Sequence, residues 1–247
     1  MAMDLDFDAE AEALFKRLNL PSPSESVKFN SLDAVFRHPT SGGTLYVGNQ
    51  AAASSRELLL KIDIHHVVNC TDNIPNHFEA KPRKPSSSAE KKQAKAVAQA
   101  KAVAQAKAVA SSPPKTALAS SPPDKAPSRP STPPPVSYLR FPISFWSRFV
   151  KDDDRSLLSF LAPLFSFVDP LLKAGKNVLV HCLAGAHRAG TCGVLLMMRY
   201  TGGNDVAKAV AAAKERRPII DPIGMLPLLL KRYAQSRENG AEGEIDF

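Results

Sequence analysis

Apolar residues fall along the chain in short blocks with two alternating spacings. Leu45-Tyr46-Val47-Gly48 and the run from Ile64 to Cys70, with Val67 and Val68 in it, have strand length and β-branched content. Ala51 to Lys61, between them, reads as a helix, and Tyr138 to Ile143 as a further strand. From about Asp154 to Ala174, the residues Leu157, Leu158, Leu161, Leu164, Phe165 and Val168 recur at helical spacing, and Ala174-Gly175 is the stop. Val178-Leu179-Val180-His181 reads as a buried strand, and Cys192 to Tyr200 is apolar enough for a buried helix. Helices over Asn204 to Arg216 and from about Ile223 to Ser236 complete the pattern. The reading is an α/β domain, a central mixed β-sheet of about five strands flanked by helices. Near the start, Phe7, Ala11, Leu14, Phe15 and Leu18 share one helical face, which Leu20-Pro21-Ser22-Pro23 ends. That helix either packs on the domain surface or docks a partner.

Residues 80–135 break the pattern. They are almost entirely Ala, Lys, Ser and Pro, and Lys95, Lys101 and Lys107 open successive copies of a six-residue repeat. No apolar stripe persists along such a repeat, so the segment cannot build a core. Its Pro-rich part, from Ser112 to Pro135, reads as disordered or polyproline-like. The chain therefore divides into an N-terminal extension with a short helix (1–30), a domain split over 31–79 and 136–236, a disordered insertion (80–135) and a flexible tail (237–247). Charge follows the same division. The net charge is +8, and the insertion alone holds eleven Lys and Arg against Glu90 and Asp124. The basic balance thus belongs to the insertion, where it offers a surface for an acidic partner. Three cysteines exclude a disulfide scaffold and fit a reducing intracellular compartment, cytoplasm or nucleus. No stretch reads as long enough for a membrane span, and no signal peptide is evident at the N-terminus. Neither a membrane nor a nucleic acid is expected as a partner.

The chemistry concentrates in Cys182-Leu183-Ala184-Gly185-Ala186-His187-Arg188, between the Val178 strand and the helix after it. Strand, tight loop and helix aim backbone N–H groups and a helix N-terminus at one point, where an anion is stabilised. A cysteine opening that loop has its sulfur in the same field, which favours thiolate over thiol. Arg188 adds a planar fork able to grip two phosphate oxygens. A nucleophile inside an oxyanion cradle suits attack on a phosphate ester.

This stretch resembles the Cys-x5-Arg signature of the protein tyrosine phosphatase superfamily, and His181-Cys182-Leu183-Ala184-Gly185 is closest to its dual-specificity branch. Leu45 to Asn49, Val67-Val68-Asn69, Pro75 to Glu79, Tyr138 to Ile143 and Arg216 to Pro222 resemble the same branch, so the likeness covers residues 44–79 and 136–233. The resemblance implies a protein tyrosine phosphatase-like fold and hydrolysis of phosphotyrosine, and of phosphoserine or phosphothreonine, on a phosphorylated protein substrate. It implies no metal and no organic cofactor. Cys182 would be the nucleophile and form a phosphocysteine. Arg188 would hold the phosphate, and the N–H groups of Leu183, Ala184, Gly185, Ala186, His187 and Arg188 would form the cradle. His181 either orients the sulfur or packs beneath the loop, and His187 either faces substrate or is exposed. The family's general acid is an Asp on the loop after the Pro142 strand. Counting back from Cys182 places it at Lys151, beside Asp152, while counting forward from the strand places it at Phe145; the loop is longer than the family's. Asp152 is the first choice, Asp153 the second and Asp154 the third, with Asp154 also suited to a helix N-cap. Trp146 and Phe149 are candidates to cover the site. Ala189 departs from the family, which has Ser or Thr after the arginine to help the sulfur leave, and Thr191 stands two residues further on. Two alternatives stay open: a phosphate-binding pseudophosphatase with little turnover, and a phosphatase for lipid, RNA or glycan. Cys70 and Cys192 read as core residues, with trapping of an oxidised Cys182 as the alternative.

Overall fold

A computed structural model describes residues 5–17, 30–79 and 135–241. The expectations for residues 1–4 and 18–29 of the N-terminal extension, with Leu18 and the stop at Leu20-Pro21-Ser22-Pro23, for residues 80–134 of the insertion and for residues 242–247 lie outside them. Helix α1 is Phe7–Arg17, strands β1 and β2 are Leu32–Arg37 and Thr44–Gly48, and helices α2 and α3 are Gln50–Ser54 and Arg56–Lys61. The single helix expected over Ala51 to Lys61 is thus two, because Ser55 ends the first in an extended conformation and caps the second. Strand β3 is Ile64–Asn69 and β4 is Ser137–Arg140. Then come a 3-10 turn at Ile143–Phe145, the short helix α4 (Trp146–Phe149), the long helix α5 (Asp154–Lys173) and strand β5 (Asn177–His181). Helices α6 (Arg188–Thr201), α7 (Val206–Arg216) and α8 (Leu226–Glu238) close the order. Arg237, assigned to a flexible tail by its sequence, lies in α8 and donates to the Met198 carbonyl.

The sheet is mixed and five-stranded, in the order β1-β2-β5-β3-β4, with only β1 antiparallel to its neighbour. β5 lies at its centre, and alternate side chains enter opposite layers. Val178 and Val180 join the large core with Leu157, Leu161, Leu164 and Leu172 of α5, Leu195 of α6 and Leu229 of α8. Leu179 joins the smaller core with Ala53, Leu59, Ile64 and Val67. Burial on both faces accounts for the unbroken apolar run of β5. Among the described helices α5 alone is long and apolar enough to cross a membrane, with a window of mean hydropathy 1.3, which corrects the expectation that no stretch is. Its apolar stripe faces the sheet, and that packing explains its composition.

Candidate active site

β2, β5 and β3 run parallel, and their C-terminal ends align, Gly48 opposite His181 and Asn69 opposite His181 on the other side. Ligand sites of open parallel sheets form beyond such ends. Cys182 is the first residue past β5, and α6 begins at Arg188, so residues 182–187 turn the chain through that place.

The turn is held from outside. The Leu183 carbonyl accepts from the Gln50 amide at 3.0 Å, and the Ala186 carbonyl accepts from the Asp221 amide at 3.1 Å. The two carbonyls between them accept from one side chain: Arg217 donates Nη2 to Ala184 at 3.2 Å and Nε to Gly185 at 3.0 Å. Trans peptides point N–H opposite to C=O, so the amides of Ala184, Gly185, Ala186 and His187 turn to the inner side of the loop. The Gly185 amide donates to the Cys182 sulfur at 3.2 Å. Gly185 has φ +70°, and a Cβ there would stand 2.5 Å from the Gly48 carbonyl oxygen and 2.9 Å from Arg217. Both the left-handed backbone and the close approach of β2 require glycine at this position.

Arg217 is 1% exposed and also pairs with Asp33 at 2.6 Å, and it donates to the Asn30 carbonyl. Burial lowers its pKa, which the Asp33 carboxylate opposes. Sequence reasoning missed this residue as part of the site. The one signal was its place in the stretch from Arg216 to Pro222, which shows nothing of where the guanidinium goes.

The predicted loop residues are together in one place. Cys182 is 3% exposed, and Arg188 is buried with its Nε free of any hydrogen bond. His181 is buried with neither ring nitrogen in a hydrogen bond. Burial pushes its pKa down to about 3, partly offset by the backbone of Cys182. His187 is neither exposed nor open to substrate by its ring. It is buried, and Nδ1 lies 2.6 Å from the Asp221 carbonyl oxygen, so it fastens the loop to the segment before α8. Thr191 donates its hydroxyl to the His187 carbonyl at 2.7 Å, an internal helix bond. Ala189 is fully buried. Cys70 and Cys192 are buried in the large core, and burial, then Cys192, pushes the Cys70 thiol well up.

The acidic residues before α5 diverge. Asp153, not Asp154, is the N-cap, and its carboxylate accepts from the Ser156 amide at 2.7 Å, which holds its pKa below the usual range. Asp154 accepts from Asn239. Asp152 is fully exposed, 3.6 Å from Arg232. The 3-10 turn Ile143–Phe145 and α4 lie in this loop between the Pro142 strand and Lys151. Trp146 does not cover the site, since it is buried in the large core, and Phe149, 65% exposed, stacks on Phe160 of α5. Asp8 of α1 pairs with Arg188 Nη2, a contact that no sequence pattern signalled. Among the described residues no three His, Cys, Asp or Glu side chains are grouped to hold a metal ion.

The parallel strands β2, β5 and β3 of the mixed sheet end at a loop that runs from a cysteine to an arginine, the arrangement expected of a Cys-x5-Arg phosphatase. The family model for the dual specificity phosphatase catalytic domain matches residues 136–234. Tyrosine-protein phosphatase vhp-1 of Caenorhabditis elegans is 35% identical over 89 residues, which are 35% of this chain and 12% of that protein. Dual specificity protein phosphatase 1 of Arabidopsis thaliana is 32% identical over 75 residues, 30% of this chain and 37% of that protein. The matches therefore span well under half the length of these relatives. The crystal structure of human DUSP28 is similar in fold, with a TM-score of 0.50 and 20% identity over 87% of this chain and 99% of that one. Residues 136–234 are thus similar to the dual specificity phosphatase catalytic domain.

Proposed function

We propose that the chain hydrolyses phosphate monoesters on protein side chains, phosphotyrosine foremost and phosphoserine or phosphothreonine with it. The observation that carries this reading is the loop from Cys182 to Arg188. All four carbonyls from Leu183 to Ala186 are bonded outward, and the Gly185 amide donates to the sulfur. In the first step Cys182 Sγ attacks phosphorus and the phosphorus–oxygen bond breaks. The electron pair stays on the leaving oxygen, which takes a proton from a carboxylic acid. The inward amides and the Arg188 fork stabilise the charge on the transferring oxygens. In the second step water attacks the phosphocysteine and gives a proton to the carboxylate left by the first step, the sulfur–phosphorus bond breaks with its electron pair returning to Cys182 as thiolate, and phosphate leaves. Asp152 is the proposed acid, because it is fully exposed with only a 3.6 Å ion pair to Arg232, whereas Asp153 and Asp154 accept hydrogen bonds from Ser156 and Asn239. All three described cysteines are free thiols, which suits a reducing intracellular compartment.

A second reading, a phosphate-binding domain with little turnover, draws on Ala189 and Thr191. No hydroxyl follows Arg188 directly, and that of Thr191 is bonded to His187. Sulfur then leaves the phosphocysteine with the Gly185 amide but no hydroxyl donating to it.

Turnover of p-nitrophenyl phosphate and of a phosphotyrosine peptide tests both readings. Wild-type protein should turn over both and Cys182→Ser neither. Asp152→Asn should slow the peptide by about 10²-fold and the nitrophenyl ester much less, since nitrophenolate leaves without a proton. Equal activity of Cys182→Ser would overturn the first reading. A nitrophenol burst that matches the enzyme and then stops would establish the second.

A further inference from the structure

Asp6 caps the start of α1, accepting from the Asp8 and Ala9 amides at 3.0 and 3.1 Å. The first turn of this helix stands on the Cys182 loop. The Asp8 carboxylate pairs with Arg188 Nη2 through one oxygen and accepts from Asn73 Nδ2 at 2.8 Å through the other. The Phe7 ring centroid lies 5.7 Å from the Arg188 guanidinium carbon. One and two turns further along, Ala11 and Leu14 are buried in a cluster with Ala184 and Ala186 of the loop. Leu5 lies against Gly224, beyond the last residue of the loop's Asp221 anchor.

Asp8 and a substrate phosphate have the same claim on Arg188. A guanidinium binds phosphate best through two parallel N–H bonds. Asp8 takes Nη2 and leaves Nε buried without a partner, so half of the fork is filled by a carboxylate. A dianion seated beside that carboxylate would meet like charge at a buried guanidinium. An eleven-residue helix is marginal by itself, so α1 keeps its shape through this contact and can give it up.

We propose that α1 is an autoinhibitory element: Asp8 occupies the place of a substrate phosphate on Arg188, and the helix must lift before substrate enters. This rests on reading the Cys182 loop as the phosphatase site. The apparent affinity for any phosphate-like ligand is then the intrinsic affinity reduced by the fraction of molecules with α1 lifted.

The test uses the full chain in four forms: wild type, Asp8→Ala, Leu14→Glu and Glu10→Ala. Leu14→Glu undocks the helix and leaves Asp8 in place, and Glu10→Ala removes an acidic charge of the same helix away from Arg188. One readout is the vanadate concentration that half-protects Cys182 from iodoacetamide, and the other is kcat/KM for p-nitrophenyl phosphate. Asp8→Ala and Leu14→Glu should each lower the protecting concentration about tenfold and raise kcat/KM by a similar factor. Glu10→Ala should change neither. Should Leu14→Glu fail to fold, Asp8→Ala set against Glu10→Ala carries the test. Unchanged protection in Asp8→Ala would overturn the proposal, as would an equal gain in Glu10→Ala. A fall in peptide turnover in Asp8→Ala without tighter vanadate would also overturn it and make Asp8 the catalytic acid. If no form turns over substrate and Asp8→Ala still tightens vanadate, the occlusion stands and the catalytic reading falls.

Discussion

His181 stands where the central strand meets the loop, buried, with no hydrogen bond to either ring nitrogen. A protonated ring there would be a buried charge, offset only in part by the backbone of Cys182, so the folded protein keeps it neutral until the pH nears about 3. In the unfolded chain the ring takes its proton near 6.5. Between those values the unfolded state binds one more proton, so the residue's contribution to stability is complete above about 6.5 and is lost as pH falls. The slope is about 1.4 kcal/mol per pH unit. Urea denaturation at pH 7, 6 and 5 should show that loss in wild type and a flatter profile in His181→Gln. Parallel profiles would mean that the ring is hydrated or bonded in solution. The same residue shows how neighbours in sequence divide their work: His181 closes the strand, Cys182 presents its sulfur to the Gly185 amide, and neither could exchange places.

At the scale of elements, the loop owes its shape to parts distant in sequence. Strand β1, which the hydrophobic pattern did not single out, brings Asp33 to Arg217. Arg217, just past α7, then holds the Ala184 and Gly185 carbonyls. One guanidinium thus ties the sheet edge, the end of a helix and the anion loop together. Arg217→Ala would leave the Asp33 carboxylate without its charge partner and two loop carbonyls without donors, a loss of about 3 kcal/mol in unfolding free energy. Arg217→Lys keeps a charge near Asp33 but not the planar fork, so stability should recover in part while vanadate protects Cys182 more weakly than in wild type. If both variants bind vanadate as wild type does, the loop keeps its shape without this residue. On the opposite side of the site, the 3-10 turn and α4 lengthen the segment before α5 and draw Trp146 into the core. An apolar residue in a loop reads equally well as a lid or as an anchor, and the packing made it an anchor.

For the molecule as a whole, the described parts on either side of residues 80–134 meet in one sheet. β3 and β4 flank the insertion in sequence and pair directly, from His66 with Ser137 to Asn69 with Arg140. The Phe78 amide donates to the Tyr138 hydroxyl at 3.1 Å, so the two sides of the insertion are fastened close to each other. Closing a loop costs little more as it lengthens, and a short bridge serves as well as a long one. Deleting residues 84–132 should therefore preserve the melting temperature and p-nitrophenyl phosphate turnover. A large drop in either would show that the segment contributes to the domain.

The sequence by itself determined the α/β class, most of the strands and helices, and the loop from Cys182 to Arg188. These rest on local facts: the spacing of apolar residues and a cysteine and an arginine a fixed distance apart in the chain. The two-layer burial of β5 was legible for the same reason, since an unbroken apolar strand has to be covered on both faces. The tertiary structure decided everything that depends on which distant groups meet. It placed Arg217 under the loop, committed His187 to Asp221 and Thr191 to His187, moved the cap from Asp154 to Asp153, and set Asp8 on Arg188. A charged or polar side chain reaches several ångströms in any direction, and its sequence neighbours do not say which partner it finds. An apolar stripe has one answer, burial, whereas a guanidinium or a carboxylate has as many answers as the fold offers partners.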